Sequence, residues 1–274
     1  MSHMQKITCV LPNYSEDNAN ALNLCLYIGP DFLTYNLIDA NAKTLVKLVD
    51  TLHVKHIYET LADIISQELA FLNIQDVKII YLTQKQITLP AELFEPNYMK
   101  SQWALMKIEE AYQVIETVHS SFGIITVSSI PQAVTHLIKL TWPQAHFMSS
   151  FDLQLNHFRN SHKSLLSIDF RSSSIHILAI DNSQIQFQRH FEIENVNELA
   201  YFIKLCMQNF NISPEIDVYL SGLINDTDAN YEFLKQTFTH LYLEIPQGPA
   251  HQLSLLEDYP IHYYSLLTSY ALCE

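Results

Sequence analysis

Glycine is almost missing from this chain. The four glycines in 274 residues, Gly29, Gly123, Gly222 and Gly248, fall far below the usual ~7%. Loops that cradle phosphates on backbone N–H groups need glycines close together, and no P-loop, G-x-G-x-x-G or G-x-S-x-G pattern occurs. Cysteine is sparse too. Positions 9, 25, 206 and 273 form no C-x-x-C, and Cys25 and Cys206 lie in apolar runs, so they read as buried thiols. Basic residues are few, 15 Lys and Arg against 29 Asp and Glu, for a net charge of −14. So acidic a chain lacks the basic groove that replaces phosphate counterions, and nucleic acid is not an expected partner. No apolar run approaches the ~20 residues of a membrane-spanning helix. No basic, apolar and small-residue series opens the chain, so the expected location is the cytoplasm. Histidine is plentiful, at 13, but poorly spaced for a metal. His53 and His56 lack an acidic partner and His157 and His162 flank an expected loop, so no metal site is expected.

What is present reads as a globular α/β chain. Hydrophobic residues make up 48% and mean hydropathy is +0.03. A chain of this length buries roughly 75% of its unfolded surface and needs no disulfide to hold a core. Leu24 to Ile28, Phe32 to Ile38 and Thr44 to Asp50 read as strands. His56 to Asn73 carries Ile57, Leu61, Ile64, Ile65, Leu69 and Leu72 at helical spacing. Val77 to Leu82 is apolar throughout, as a strand covered on both faces should be. Lys100 to Lys107 and Glu109 to Val118 read as helices, Gly123 to Val127 as a strand, and Pro131 as the first turn of a helix. Ala145 to Asn160, with Phe147, Phe151, Leu153, Leu155 and Phe158, reads as extended. Strands are then expected over 165–169, 174–181, 184–193 and 217–220. Helices are expected from Asn197 to Asn209, capped by Asn195 or Asn197, and from Ala229 to His240. A last helix follows Pro260, and Tyr259, Tyr263, Tyr264 and Tyr270 gather around it.

The order strand, strand, strand, helix, strand occurs twice. Sliding the chain on itself sets Leu24 on Leu166, Leu26 on Ile168, Ile28 on Phe170, Leu33 on Ile175 and Asp39 on Asp181. The apolar positions keep their alternate faces, which a one-residue slip would reverse. A short deletion then sets Leu82 on Leu220. The expected fold is α/β, two tandem ribonuclease-H-like domains over 5–145 and 146–274, with a C-terminal helix that can pack on the first domain or back on its own.

Three blocks carry a family resemblance: Leu24 to Leu33, Ile87 to Phe94, and Glu194 to Gly222 with its Val218-Tyr219-Leu220-Ser221-Gly222. They resemble an uncharacterised bacterial family, a domain of unknown function with the actin-like ATPase fold. More distantly, the chain is similar to the actin-like proteins of pilus assembly and cell division. In nucleotide-binding members of that fold, each of two hairpins carries Asp-x-Gly. The aspartate faces metal-bound water and the glycine lets backbone N–H groups approach phosphate. Paired glycines of a third motif pass under the adenosine.

Each motif is incomplete here. The first hairpin reads Tyr27-Ile28-Gly29, with tyrosine for the aspartate. The second reads Asp169-Phe170-Arg171, with arginine for the glycine. The third, Leu220-Ser221-Gly222-Leu223, keeps one glycine. The candidate cofactor site is therefore vestigial: Gly29, Asp169, Arg171, Ser172, Ser173 and Gly222. Arg171 and the hydroxyls after it could meet an anion, or the stretch is a polar hairpin turn in which Asp169 only steadies the bend. No catalytic residue is expected. The resemblance implies a degenerate actin-like protein without ATPase activity, needing no cofactor and acting as a protein-binding or assembly module. Its partner would be another protein, with self-association open. The alternative is a divergent ATPase or sugar-kinase-like phosphotransferase binding Mg-ATP between the two halves.

Overall fold

The computed structural model describes residues 4–11, 14, 21–83, 85–95, 111–246 and 259–272. These fall into two compact units. One covers the described residues up to 153 together with 270–272, and the other covers 154–246 with 259–269.

In the first unit, strands β1 (Gln5–Val10), β2 (Leu22–Ile28), β3 (Phe32–Asp39), β4 (Thr44–Leu52), β5 (Ile74–Tyr81) and β9 (His146–Ser149) form one sheet in the order β1-β4-β3-β2-β5-β9. β2 and β3 are buried on both faces, so they read as near-continuous apolar runs. Leu24, Leu26, Ile28, Leu33, Tyr35 and Leu37 present one face to helix α1 (Ile57–Ile64) and helix α2 (Gln132–Thr141). The last turn of the expected first helix widens into a π turn at Ile65–Leu69. A second, three-stranded sheet holds β6 (Gln86–Pro90), β8 (Ile124–Pro131) and β7 (Tyr112–His119), in the order β6-β8-β7.

In the second unit, β10 (Leu165–Arg171), β11 (Ser174–Asp181), β12 (Gln184–Glu192), β13 (Asp217–Gly222) and β14 (His240–Leu243) form a sheet in the order β12-β11-β10-β13-β14. Leu166, Ile168, Phe170, Ile175 and Ile177 pack against Leu199 and Ile203 of helix α4 (Val196–Phe210) and Leu234 of helix α5 (Ala229–Thr237). Helix α3 (Ser150–His157) precedes this sheet, and helix α6 (Ser265–Leu272) comes near the C-terminus. Asn195 caps α4 by accepting from the N–H groups of Asn197 and Glu198 at 3.0 and 3.2 Å.

The two sheets share more than strand order. Ile28 pairs with Leu33 and Leu24 with Leu37 across β2–β3; Phe170 pairs with Ile175 and Leu166 with Ala179 across β10–β11. The pairing of second with third strand is irregular at the matching place in both units, between Leu37 and Ile38 on β3 in one and between Ala179 and Ile180 on β11 in the other. Bulges do not arise at equivalent positions from alternation alone, so the register supports an internal duplication. The fourth strands need one correction. Leu26 pairs with Ile79 and Ile168 with Leu220, while Ile28 O accepts from Leu82 N and Phe170 O from Leu223 N. Leu82 therefore corresponds to Leu223, not Leu220.

Other expectations change too. The stretch over 109–118 is not a helix: its described part is the strand β7, where Val114, Glu116 and Val118 alternate with Ile115 and Thr117. The expected helix over 100–107 lies outside the described residues. Pro131 ends β8 and immediately precedes α2 rather than sitting in its first turn. Ala145 to Asn160 is extended only over β9 and is helical from Ser150 to His157. The sequence carried a signal for that switch. Ser149-Ser150-Phe151-Asp152 is a capping box, with Asp152 N donating to Ser149 Oγ at 3.2 Å and Ser149 N to Asp152 Oδ2 at 2.8 Å.

Candidate functional site

Asp169 and Arg171 stand two apart on β10, so their side chains leave the same face of the strand. That proximity decides the chemistry of the hairpin. Arg171 Nε donates to Asp169 Oδ2 at 2.8 Å and Nη2 donates to Oδ1 at 3.3 Å. Ser221 Oγ, the cross-strand neighbour on β13, donates to Oδ1 at 2.6 Å. Asp169 is 2% exposed. Both carboxylate oxygens are thus engaged by the chain itself, one of them by a cation and a hydroxyl at once. A forked guanidinium matches a carboxylate in geometry and charge, which makes this pair stronger than a neutral hydrogen bond.

The remaining candidate residues lie in or beside the two hairpins. Gly222 ends β13 at φ 79°, and a Cβ built there would lie 1.9 Å from Phe170 O. This glycine lets β13 pass close to the β10 backbone. It stands beside Asp169 and Arg171, opposite Phe170 in the sheet. Ser172 and Ser173 make the exposed turn from β10 to β11, and Ser173 O accepts from Ile193 N at 2.9 Å. Gly29 lies in the first unit, in the β2–β3 turn, where its N–H donates to Phe32 O at 2.9 Å. A Cβ at Gly29 would meet the Phe32 ring at 2.1 Å, and Phe32 packs edge-on against Tyr27 at 5.0 Å between centroids. The space beside Gly29 is filled by an aromatic ring. Among the described residues, no group of three His, Cys, Asp or Glu side chains could hold a metal ion.

Asp169 belongs to a polar row that crosses the sheet, His190, His176, Asp169 and Ser221, each paired with the next. His176 is fully buried and its ring meets the His190 ring edge-on at 4.7 Å. Burial pushes the His176 pKa well below the usual 6.5, and the neighbouring His190 and Arg171 act in the same direction. Burial lowers His190 as well, against an opposing pull from Glu192. Below about pH 6.5 the unfolded chain binds protons that these folded rings resist. Stability is therefore full above that pH and is lost as the pH falls. Acidification from about pH 7 to about pH 5 is expected to weaken the second unit, by up to ~1.4 kcal/mol per pH unit for each ring kept neutral. Urea midpoints across that range would show the slope, and His176→Leu should flatten it.

The sequence missed a second cluster, in the first unit. Asp152 is fully buried. Its Oδ1 accepts from His119 Nε2 at 2.9 Å and from Thr126 Oγ1, and its Oδ2 from Ser149 Oγ at 2.8 Å, Ser149 N at 2.8 Å and Thr117 Oγ1 at 3.2 Å. Thr126 Oγ1 also lies 3.3 Å from the same Nε2. A catalytic triad needs its histidine to bridge nucleophile and acid through different nitrogens. Here a single nitrogen meets both, so the cluster is a tie between the start of α3 and the three-stranded sheet.

Residues 12–241 match a family described as "Protein of unknown function (DUF3822)". The chain belongs to the DUF3822 family. No curated protein matches the sequence. Among solved structures, the DUF3822 chain is similar to a protein of Bacteroides thetaiotaomicron with the actin-like ATPase fold and unknown function. They are 14% identical, covering 89% of this chain and 98% of that one, with a TM-score of 0.75. It is also similar to a chain of the PilM–PilN type IV pilus biogenesis complex, at 12% identity, 91% and 97% coverage and a TM-score of 0.57. A third likeness is to the ethanolamine utilization protein EutJ of Carboxydothermus hydrogenoformans, at 9% identity, 95% and 92% coverage and a TM-score of 0.50. These likenesses establish the actin-like ATPase fold, as the family resemblance implied. No helix among the described residues is long and apolar enough to cross a membrane.

Proposed function

We propose that this DUF3822 protein is a non-catalytic actin-like protein that works as a protein-binding or assembly module. The observation that carries this reading is the closed pair of Asp169 and Arg171. Phosphoryl transfer on this fold depends on metal and on backbone groups that position phosphates. The carboxylate available for metal-bound water is spent on a guanidinium and a hydroxyl of its own sheet. Freeing it leaves a buried charge without its partner, at a cost of ~3–5 kcal/mol. At the retained glycines Gly29 and Gly222 the Cβ direction is filled by a ring and a backbone carbonyl, which gives each a structural reason to be glycine. A protein partner is supported by the likeness to PilM, which occurs in complex with PilN.

Thermal melting with and without Mg-ATP tests the proposal. Ligand at 100 times its dissociation constant stabilises a protein by ~2.7 kcal/mol. The melting temperature is expected to stay flat at millimolar Mg-ATP. A rise that disappears in Asp169→Ala would favour the divergent ATPase or phosphotransferase instead.

A further inference from the structure

We infer that a cavity at the capped end of α4, within the second unit, binds the ring of a neutral monosaccharide. This goes beyond the proposed protein-binding role and does not depend on it. The cavity holds about 300 Å³, the lower end of the range for ligand sites, so it suits one small ring rather than a nucleotide or a peptide. Its surface is mixed. Ile180, Phe210, Ile212 and Ile216 make it apolar, while Asp181, Gln186, Asn211 and Glu215 bring polar groups to the same space.

Two local devices build this site. The register of β11 on β12 shifts between Ala179 and Ile180, and such an irregularity re-aims the side chains beside it. Ala179, Ile180 and Asp181 of β11 and Gln186 of β12 all line the cavity. At the end of α4, Asn211 takes a left-handed φ of 52° and its N–H donates to Met207 O. Ile212 N donates to the same oxygen at 3.0 Å. That cap fixes Phe210, Asn211 and Ile212 at the cavity. Phe210 is 36% exposed and is held by stacking on Phe187 at 4.2 Å between ring centroids. Walls fixed in advance lower the ordering cost of binding.

The polar groups decide the class of ligand. Both carboxylates are exposed and already engaged. Asp181 accepts from Ser164 Oγ and from Asn182 Nδ2, the latter at 3.2 Å. Glu215 accepts from Thr239 Oγ1 at 2.9 Å, with His240 Nε2 3.7 Å away. Such carboxylates hold a cation weakly in water but keep lone pairs for hydroxyl donors. Among the described residues no lysine or arginine lines the cavity, so a phosphate or carboxylate ligand would find no forked or point cation there. The amides of Gln186 and Asn211 each carry donor and acceptor together, which matches hydroxyls that must do both. A wholly apolar ligand would desolvate these groups without return. A sugar ring meets every condition, with hydroxyls for the amides and carboxylates and C–H faces for Phe210 and the isoleucines.

The full chain, labelled with ¹⁵N, can be titrated with the methyl glycosides of glucose, galactose, mannose and N-acetylglucosamine. At least one is expected to saturate with a dissociation constant below ~10 mM, shifting amides over residues 179–186 and 210–216. Gln186→Ala with Asn211→Gly should weaken that sugar by about tenfold with the melting temperature unchanged. Gln186 is exposed, and glycine keeps the left-handed turn at Asn211, so the double variant preserves the fold. Phenethylammonium, a cation on an apolar ring, should bind more weakly than the best sugar. Failure of every glycoside to saturate, shifts confined to other residues, undiminished binding by the double variant, or tighter binding of phenethylammonium would overturn the inference. These outcomes are separate from those of Mg-ATP melting, which reports on Asp169.

Discussion

Replacing Asp152 with alanine should lower the stability of the first unit by ~3–5 kcal/mol, among the largest effects of any side chain described. The carboxylate is buried and takes five hydrogen bonds, from His119, Thr126, Thr117 and both the backbone and hydroxyl of Ser149. Ser149 Oγ keeps Gln86 Oε1 and Thr126 Oγ1 keeps Thr117 O as acceptors, but alanine removes the carboxylate that takes the His119, Thr117 and Ser149 N donors, and each unsatisfied buried group costs ~1–3 kcal/mol. The same change removes half of the capping box that starts α3. Asp152→Asn keeps the shape but turns an NH₂ toward hydroxyl and amide donors, so it should fall well below wild type as well. The measurement is the urea midpoint of the first unit's transition. A loss under ~1 kcal/mol for Asp152→Ala would mean the cluster contributes only marginally.

Gly222→Ala should be comparably severe. Its φ of 79° costs an L side chain about 1–2 kcal/mol by itself. The new Cβ would also sit 1.9 Å from Phe170 O, a backbone atom with no rotamer to change, so β13 must move away from β10. A loss above ~4 kcal/mol is expected, with the Ser221–Asp169 hydrogen bond disrupted. Gly123→Ala is the control. Its φ is 63° but nothing lies within 4 Å of the added Cβ, so only the backbone term of about 1–2 kcal/mol applies. Gly29→Ala should fall between them, because the Phe32 ring it meets is a side chain that can yield. If Gly222→Ala behaved like Gly123→Ala, the close approach of β13 to Phe170 would not be what retains this glycine.

Much of the fold was legible in particular residues. The hairpins were readable because two apolar runs joined by a short polar turn, Leu24 to Ile28 with Phe32 to Ile38 and Leu166 to Phe170 with Ile175 to Ile180, are what strands covered on both faces require. The fourth strand was placed too far along because its apolar run has no alternation to fix the match. Tyr112 to His119 was misread because its apolar and polar residues also suit a helix when a short window is taken alone. Ala145 to Asn160 was misread because its large apolar residues outweighed the Ser149–Asp152 signal.

At the candidate site, the loss of the Asp-x-Gly pairs was visible. Its consequence was only half visible. The sequence offers Arg171 as a contact for an anion or as part of a polar turn, yet the two-residue spacing already puts it on the same side as Asp169. The Asp152 cluster draws on residues from 117 to 152 that only the tertiary fold brings together. No spacing within one segment could have revealed it beyond the capping box.

Arg171 is proposed to occupy Asp169 so fully that no nucleotide-bound metal can. The Nε–H of Arg171 reports this directly, since it donates to a buried carboxylate at 2.8 Å and should give a slowly exchanging proton resonance in protein labelled with ¹⁵N-arginine. Titration with Mg-ATP is predicted to leave that resonance unchanged in shift and exchange rate. A saturable shift, or its loss into solvent exchange as Mg-ATP is added, would contradict the account.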